Sequence, residues 1–329
     1  MTAARPVIID TDGGIDDAAA LWWALQDPAL DVLAVTVVWG NVAVERATLS
    51  VGRVLAATGR SDIPVATGAT APVGSAPVLR PATFIHGDDG LGNTTAGLPD
   101  PDVNRISEAA PDLMRRLCAE RPGKVSLLTI GPLSNVGLAL AADPGFAATV
   151  ADVVVMGGSV RAGGNALPNG EANIAHDPLA AASVASAAWA QPPLLVGLDV
   201  TQKATLTEAH FRLLAEHRSA AAEFLDAPLR FYRRFGGLLT APDCPCHDLL
   251  ATMALSDPSL IPDAPVLPMA VDAAGGPAWG STIVDFRAPA MAKLRGSEQD
   301  RPAGFGDWRI GLGADVDRFR SQAAALFGG

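Results

Sequence analysis

Four aspartates lie close together near the start of the chain, directly after an apolar run at residues 7–9. Such a run predicts a buried strand, and the glycine pair at 13–14 predicts a tight turn into a helix. Four like charges at one strand end repel one another, so they need a hard cation among them or must stay partly protonated. The stretch therefore predicts a metal site near Asp10, Asp12, Asp16 and Asp17.

Polar side chains also follow four later apolar runs of the sequence. In a parallel sheet the carboxyl ends of the strands meet at one edge, and ligands bind there. A single Asn or Gly at a strand end is ordinarily a turn former, so the prediction depends on their convergence. The residues concerned are Asn41, the segment 130–135, Met156 with the two glycines after it, the trio Asn165, Glu171 and Asn173, and Asp199.

The trio of Asn165, Glu171 and Asn173 lies in a predicted loop after the run at 152–156. Sugar hydroxyls need hydrogen-bond donors and acceptors together, and amide and carboxylate side chains supply both. Next to a hard metal ion, the trio therefore predicts recognition of a polyhydroxylated ligand.

Two histidine-containing segments stand apart from these strand ends. His247 and Asp248 open an apolar helix at 249–255. They are either a general acid beside a metal ligand or a helix cap with an incidental histidine, and the local sequence leaves both open. The glycine-rich segment 85–92 carries His86 and is either a loop that closes over a ligand or a surface loop, and the first interpretation is favoured.

These residues need a fold that brings distant strand ends together. Apolar runs alternate with stretches of helical periodicity, which predicts an open, mostly parallel, doubly wound α/β sheet. The run at 153–155 is apolar throughout, as a sheet covered on both faces requires. Strands are predicted at 7–10, 32–38, 65–66, 126–129, 153–156 and 194–198. Helices are predicted at 16–25, 44–57, 109–121, 133–141 and 178–186.

The C-terminal part of the chain has a less regular pattern. It predicts a helical segment, with helices at 207–215 and 220–235, and then a small β meander with strands at 266–271 and 282–284. A last strand and helix are predicted at 309–312 and 315–326. No repeat, low-complexity segment or linker interrupts the pattern, so a single domain over 1–329 is predicted.

The composition narrows the classes of partner. The chain has 329 residues and a formal net charge of −11, without a basic block, which argues against nucleic acid and anionic membranes. No apolar stretch is long enough to span a bilayer, and none resembles a signal peptide before the first strand. The odd number of cysteines, 3, indicates reduced thiols. A cytoplasmic location is therefore predicted.

Taken together, these motifs resemble the nucleoside hydrolase family, the inosine-uridine preferring enzymes that cleave the N-glycosidic bond of ribonucleosides. The family opens with Asp-x-Asp-Pro-Gly-x-Asp-Asp, and residues 10–17 here are Asp-Thr-Asp-Gly-Gly-Ile-Asp-Asp. Further matches follow in order along essentially the whole chain, which makes the resemblance specific. They lie at 40–42, 85–87, 90–92, 130–135, 156–158, 164–165, 171–173, 177–178, 247–248 and 280–285.

The resemblance implies calcium-dependent hydrolysis of ribonucleosides to ribose and free base. The implied metal site has only oxygen ligands, from carboxylates, a backbone carbonyl, water and two ribose hydroxyls, and such a set suits Ca²⁺. Asp12 would also act as the general base toward the attacking water, and Asp10 would lie behind the ligands and orient the turn. The implied protein ligands are Asp12, Asp17, the backbone carbonyl of Ile130, and Asp248.

The same resemblance implies the contacts of the substrate. Asn165 and Glu171 would reach the 5′-hydroxyl of the ribose, and the 2′- and 3′-hydroxyls would be held by Asp16, Asn41 and Asn173. His247 matches the position that serves as general acid, or assists the leaving base, in part of the family. The predicted substrate contacts are Asp16, Asn41, His86, Met156, Asn165, Glu171 and Asn173.

Two positions depart from the family pattern. Gly13 replaces the Pro of the opening motif and predicts a looser turn with every carboxylate still in place. Ala172 replaces the usual Phe between Glu171 and Asn173 and predicts a larger pocket or a shifted substrate preference. The resemblance implies a homodimer or a homotetramer, and it leaves open the choice between purine and pyrimidine bases.

Two alternative functions accompany this prediction. The segment 8–14 also fits a haloacid-dehalogenase-like phosphatase. Such an enzyme needs a later Lys and a pair of Asp at a strand end, and neither Lys124 nor Lys203 is followed by such a pair. It also leaves residues 16–17 and 247–248 unexplained. A catalytically inactive nucleoside- or sugar-binding protein would have lost Asp12, Asp17 or Asp248, and all three are present.

Overall fold

The computed structural model describes residues 4–74, 78–239, 243–287, 290 and 303–328. Its strands are β1 (Arg5–Thr11), β2 (Leu30–Val37), β3 (Pro64–Thr67), β4 (Asn104–Arg105), β5 (Ser126–Thr129), β6 (Asp152–Met156), β7 (Leu194–Val196), β8 (Thr205–Leu206), β9 (Cys244–Pro245), β10 (Val266–Val271), β11 (Thr282–Val284) and β12 (Gly306–Ile310). Its longer helices are α1 (Ile15–Gln26), α2 (Val44–Thr58), α4 (Ala110–Glu120), α5 (Ser134–Ala142), α8 (Pro178–Ser186), α10 (Glu208–Glu216), α11 (Ala220–Leu239), α12 (His247–Ser256) and α13 (Val316–Gly328). Short helical turns are α3 (Thr83–His86), α6 (Phe146–Thr149), α7 (Ala172–His176), α9 (Leu198–Thr201) and a 3₁₀ turn at Pro258–Leu260.

Ten of these strands form one sheet in the order β11-β10-β12-β7-β6-β5-β1-β2-β3-β4. From β1 the chain builds outward through β2, β3 and β4, and then returns to the other side of β1 with β5, β6 and β7. The strand order therefore reverses between β1 and β5, and such a switch point leaves a crevice at the carboxyl ends of the strands.

Both faces of the sheet are covered by helices, as the side chains of β1 illustrate. Val7 and Ile9 belong to one core cluster, with residues of α1, α2, α11 and α12. Ile8, which points to the opposite face, belongs to a second cluster with residues of α4, α5 and α8. Because successive strand side chains alternate between faces, a strand buried on both sides must be apolar at every position.

The predicted mostly parallel, doubly wound α/β sheet is confirmed. The last strand, predicted at 309–312, is Gly306–Ile310, and three further local differences follow. The strand predicted at 194–198 ends at Val196, and the chain turns through extended Gly197 into α9. The predicted loop around Glu171 and Asn173 contains the helical turn α7. The predicted meander is part of the main sheet, because β10 pairs antiparallel with both β11 and β12, and β12 continues parallel to β7.

Two further expectations concern the chain as a whole. Among the described residues, no helix is both long and apolar enough to cross a membrane. The single domain over 1–329 stays a prediction.

Candidate active site

The carboxyl ends of β1 and β5 carry the polar residues that the sequence singles out. Asp12 follows β1 directly, and Ile130 follows β5. Asp16 and Asp17 lie in the first turn of α1, which begins three residues after Asp12, and Asp248 lies in the first turn of α12. Because α1 and α12 pack against each other, their N-terminal turns meet above the switch point.

Four buried carboxylates form what we call the acidic floor: Asp12, Asp16, Asp17 and Asp248. Each is at most 3% exposed. One carboxylate oxygen from each of Asp16, Asp17 and Asp248 lies within 4.8 Å of the others. Asp12 adjoins this group, because Asn41 donates to both Asp12 (2.9 Å) and Asp17 (3.3 Å) through its Nδ2.

The acidic floor is electrostatically unfavourable as it stands. Burial and the neighbouring charge of Asp17 raise the pKa of Asp12 well above its ordinary value. The same two causes raise the pKa of Asp16 to about 7. Burial, followed by the charges of Asp16, Asp17 and Asp12, raises the pKa of Asp248. Within the described residues, no Lys or Arg forms an ion pair with these four groups.

This arrangement fits a hard divalent cation on chemical grounds. The donors are carboxylates and, beside them, the backbone carbonyl of Ile130, which lines the same cleft. Oxygen-only donor sets of this kind suit Ca²⁺ or Mg²⁺ rather than softer metals. A cation would also offset the repulsion that raises the carboxylate pKa values.

Asp10 lies within β1, two residues before Asp12, and its carboxylate is hydrogen-bonded by neutral donors. Its Oδ1 accepts hydrogen bonds from the Thr36 hydroxyl (2.7 Å) and from Asn135 Nδ2 (2.8 Å). Burial raises its pKa to about 7 despite these two donors. Asp10 is not among the residues that line the cleft, and its place behind the metal ligands stays a prediction.

The turn between β1 and α1 is tighter than the sequence predicts. Gly13 has a φ of +72°, and a Cβ atom added there would lie 2.5 Å from the Cα of Ala47. Proline cannot adopt this φ, and other residues adopt it only with strain. Gly13 therefore does not loosen the turn; it allows the chain to pass close to α2 and places Asp12.

A second group of polar residues, which we call the amide wall, comprises Asn165, Glu171 and Asn173. Glu171 caps α7, and its carboxylate accepts hydrogen bonds from the backbone N–H of Asn173 (3.0 Å), Ile174 (3.2 Å) and Gly158 (2.8 Å). Burial raises its pKa to about 6 against the opposing effect of these donors. Asn165 Oδ1 accepts from the N–H of Ala172 at 2.9 Å, so the two segments of the wall are joined.

Asn173 connects the amide wall to the strand ends. Its Nδ2 donates to the carbonyl oxygens of Ile130 (3.3 Å) and Met156 (3.1 Å), at the ends of β5 and β6. Its carbonyl Oδ1 is the remaining polar atom of that side chain, so Asn173 can accept a hydrogen bond from a ligand hydroxyl.

Two histidines and a tyrosine close the opposite side of the cleft. His86 Nδ1 accepts a hydrogen bond from the N–H of Ile15 (3.1 Å), and burial lowers the pKa of His86 to about 3. Burial also lowers the pKa of His247 to about 4, and its Nδ1 bonds the Thr201 hydroxyl at 2.7 Å. The Tyr232 hydroxyl donates to Asp16 at 3.3 Å, and its ring packs against His86.

These residues surround one cleft of about 280 Å³. Of the predicted site residues, ten line it: Asp16, Asn41, His86, Ile130, Met156, Asn165, Glu171, Asn173, His247 and Asp248. Asp12 and Asp17 are buried behind this lining and contact it through Asn41. Asp199 does not line the cleft; it accepts hydrogen bonds from the N–H groups of Val160 (2.8 Å) and Arg161 (2.9 Å) and so anchors a loop.

Several residues that line the cleft were not named individually from the sequence, although Phe235 lies in the segment 224–239, which the sequence allows either as a cover for the base or as part of a helical core. Phe84 and Phe235 lie near its mouth with their rings in edge contact, and His176 lies beside the amide wall. A signal for His176 was available, since it stands four residues after Ala172 and such spacing places side chains on one helical face. It required knowing that α7 is helical.

The comparisons with known proteins agree with this geometry. The family model for inosine-uridine preferring nucleoside hydrolases matches residues 7–321. The chain belongs to this family. The non-specific ribonucleoside hydrolase of Salmonella newport is 36% identical over 330 residues, which cover 99% of this chain and 99% of the relative. The probable uridine nucleosidase 2 of Oryza sativa subsp. japonica is 38% identical over 229 residues, 69% of this chain and 66% of the relative.

Solved structures of nucleoside hydrolases share the fold. A plant nucleoside hydrolase superimposes with a TM-score of 0.87 at 32% identity, over 99% of both chains. The purine-preferring ribonucleoside hydrolase from Gardnerella vaginalis gives a TM-score of 0.85 at 29% identity, over 99% of this chain and 98% of that one. The predicted family and its classification as a nucleoside hydrolase are confirmed. The relatives named here differ in the bases they prefer.

Proposed function

We propose that this nucleoside hydrolase cleaves the N-glycosidic bond of ribonucleosides with Ca²⁺ at the acidic floor and Asp12 as the general base. The observation that carries the proposal is the acidic floor itself. Four buried carboxylates, without an ion-paired cationic side chain among the described residues, lie at the switch point of the sheet and border a cleft that the amide wall also lines. That combination supports binding of a cation together with a sugar.

The proposed ligands of Ca²⁺ are Asp12, Asp17, Asp248 and the carbonyl oxygen of Ile130. A bound Ca²⁺ would lower the pKa of a coordinated water and hold two vicinal hydroxyls of the ribose. One carboxylate oxygen of Asp16 lies within 4.8 Å of oxygens of Asp17 and Asp248, so Asp16 is near enough to contact a ribose held at the proposed Ca²⁺. We assign Asp16 to the ribose because it lines the cleft, whereas Asp12 and Asp17 lie behind the lining.

Asp12 is the proposed base because Asn41 fixes both of its oxygens. The backbone N–H of Asn41 donates to Oδ2 (2.7 Å) and its Nδ2 donates to Oδ1 (2.9 Å). In the proposed reaction, Asp12 accepts a proton from water and the water oxygen attacks the anomeric carbon. The C–N bond breaks, and its electron pair leaves with the nucleobase.

The ribose is held by groups that the structure places on both sides of the cleft. Asp16, Asn41 and Asn173 are proposed for the 2′- and 3′-hydroxyls, and Asn165 with Glu171 for the 5′-hydroxyl. Fixing the ring at several hydroxyls orients the anomeric carbon toward the attacking water, which lowers the entropic cost of reaction. His86 and Met156 are proposed to complete the substrate contacts.

His247 is the proposed donor to the leaving base. Its pKa of about 4 means that the ring is neutral at pH 7, so an imidazolium is not the donor there. If the Thr201 hydroxyl donates to Nδ1, the proton of the neutral ring resides on Nε2, and Nε2–H can donate a hydrogen bond that stabilises the departing nucleobase. Replacing His247 by Ala should slow hydrolysis of inosine far more than that of nitrophenyl riboside, whose leaving group needs no proton. Equal losses for the two substrates would contradict this role.

A substrate panel tests the proposed function. The protein is incubated with uridine, inosine, cytidine and a phosphomonoester, with and without the chelator EGTA, and released ribose and phosphate are measured. We expect ribose from at least one nucleoside, lost on chelation and restored by Ca²⁺. Ribose release that survives complete removal of divalent cations would contradict the calcium requirement, and absence of ribose from every nucleoside would favour an inactive binding protein. Phosphate release would favour the phosphatase.

A cytoplasmic location and a homodimer or homotetramer stay predictions.

A further inference from the structure

Two rings of the cleft hold the start of α1 at two adjacent residues. His86 Nδ1 accepts a hydrogen bond from the backbone N–H of Ile15 at 3.1 Å, and the Tyr232 hydroxyl donates to Oδ2 of Asp16 at 3.3 Å. The two rings also contact each other, with 5.3 Å between their centres. These contacts form a closed circuit, which we call the aromatic clamp: Ile15, Asp16, Tyr232 and His86.

The aromatic clamp joins elements that are far apart in the sequence. His86 ends α3, and Tyr232 lies in α11, 216 residues from Asp16. The helix α11 packs against both α1 and α3. The side chains of Asp16, His86 and Tyr232 are each at most 8% exposed, and all three line the cleft. The clamp therefore fixes the Asp16 carboxylate at a surface that a bound ligand contacts.

Asp16 needs such a contact because its neighbours repel it. One of its carboxylate oxygens lies within 4.8 Å of oxygens of Asp17 and Asp248, and like charges at this separation favour rotation of the side chain away from them. Within the described residues, the Tyr232 hydroxyl is the one side-chain donor to Asp16. The backbone N–H groups of Asp16 and Asp248 also face this carboxylate. Of these donors, the Tyr232 hydroxyl is the one that a substitution can remove without altering the backbone.

We propose that Tyr232 is a positioning residue that fixes the Asp16 carboxylate for a hydrogen bond from one of the two vicinal hydroxyls of the ribose. This inference rests on the proposed function, which assigns Asp16 to the ribose. A carboxylate offers about four lone-pair sites, so Asp16 accepts from the ribose while it accepts from Tyr232. Part of the preference for ribonucleosides over deoxynucleosides then depends on Tyr232, which acts on the sugar through Asp16.

The first experiment compares uridine, 2′-deoxyuridine and 3′-deoxyuridine as substrates of the wild type, Tyr232→Phe and Trp189→Phe. Tyr232→Phe removes the hydroxyl and keeps the ring that packs against His86, so we expect it to fold. Trp189→Phe is the matched control, since it also removes one donor from an aromatic side chain. That donor is Nε1, which bonds the carbonyl oxygen of Val184 at 2.9 Å, and Trp189 lies outside the cleft lining.

We expect Tyr232→Phe to lower kcat/KM for uridine about 10-fold, the order of one buried hydrogen bond. It should leave unchanged the deoxyuridine that lacks the hydroxyl held by Asp16. The control should keep the wild-type ratios among the three substrates. Equal losses in Tyr232→Phe on all three substrates would overturn the proposal, because a purely structural role, or a contact to the base, affects them alike.

A binding measurement separates this inference from the proposed function. The wild type and Tyr232→Phe are titrated calorimetrically, in the presence of Ca²⁺, with 1,4-anhydro-D-ribitol and with its 2-deoxy and 3-deoxy forms. These are ribofuranose rings without a base, and their binding needs no turnover. We expect the variant to bind the complete sugar about 10-fold more weakly and to bind one of the deoxy sugars as the wild type does. Unchanged binding of the complete sugar would overturn the inference even if nucleosides are hydrolysed. If no nucleoside is hydrolysed, the proposed function fails, while the sugar titration still decides the role of Tyr232.

Discussion

The acidic floor and the amide wall border the same cleft, but the floor packs four buried carboxylates together, whereas the wall contains a single one. Glu171 in the wall receives three backbone N–H groups. In the floor, Asp248 faces the charges of Asp12, Asp16 and Asp17, which raise its pKa. The wall is therefore complete within the polypeptide, whereas the floor stores electrostatic repulsion that an external cation can relieve. This difference is the reason why the proposed function assigns the cation to the floor and the ribose hydroxyls to the wall.

The largest expected effect follows from replacing Asp12, the proposed general base in the floor. Asp12→Asn keeps the shape of the side chain and removes its ability to accept a proton. We expect turnover of the preferred nucleoside to fall at least about 10³-fold, as for loss of a general base near a metal. Steady-state kinetics check this, with Asp31→Asn, an exposed aspartate on β2, as the control. Near-wild-type turnover of Asp12→Asn would remove Asp12 from its proposed role.

The second effect concerns the turn that carries Asp12. Gly13→Pro restores the residue of the family motif but requires a φ near −65° where the structure has +72°. We expect the free energy of unfolding to fall by about 3 kcal/mol, and turnover to fall about 100-fold because Asp12 is displaced. Gly97→Pro is a matched control, since Gly97 also has a positive φ but has open space around it. It should lose stability and keep its turnover; a Gly13→Pro protein with normal turnover would show that the turn tolerates both residues.

The same comparison shows how much could be predicted from the sequence. The floor was predictable because three of its four members lie within residues 12–17, directly after an apolar strand, so strand and turn patterns alone place them. Asp248 is more than 230 residues away and was assigned by the family resemblance. Its proximity depends on the packing of α12 against α1, which no local pattern reveals.

The wall was only partly predictable. Glu171 and Asn173 were recognised as polar groups at a strand end, but the helical turn α7 was not, because five residues are too few to show a helical period. His176 was missed for that reason. Gly13 was misjudged because its conformation is set by the close approach of Ala47, a contact between elements rather than a property of the turn sequence.

The third prediction tests the stored repulsion of the floor through pH. The folded pKa of Asp16 is about 7, above the ordinary value of 3.8, so the folded protein holds a proton that the unfolded chain releases. This contribution to stability is present below pH 4 and is lost as the pH rises through 7. Without divalent cations, we therefore expect Tm to fall over that range. At about 100 times its Kd, Ca²⁺ should add about 2.7 kcal/mol of stability, and the gain should be larger at pH 8 than at pH 5.

Thermal melts with EGTA or Ca²⁺ at the two pH values measure this response. Asp248→Asn provides the control, since it removes one charge from the floor. It should raise Tm without cations at pH 8 and reduce the shift on adding Ca²⁺. An equal Ca²⁺ shift at pH 5 and pH 8, in both proteins, would contradict a role for carboxylate repulsion.

The smallest expected effect concerns the wall, where the change from acid to amide should lower stability, whereas Asp248→Asn in the floor should raise it. Glu171→Gln makes the same change from acid to amide as Asp248→Asn, but it replaces an accepting oxygen by an NH₂ group that faces a backbone donor. Because one N–H is then left unpaired in a buried position, we expect the free energy of unfolding to fall by about 1–3 kcal/mol. Urea denaturation at pH 8 with EGTA measures both variants, beside Glu216→Gln at an exposed position. If Glu171→Gln and Asp248→Asn changed stability in the same direction, the floor and the wall would not differ in how they hold their charges, and the reason for assigning the cation to the floor alone would be lost.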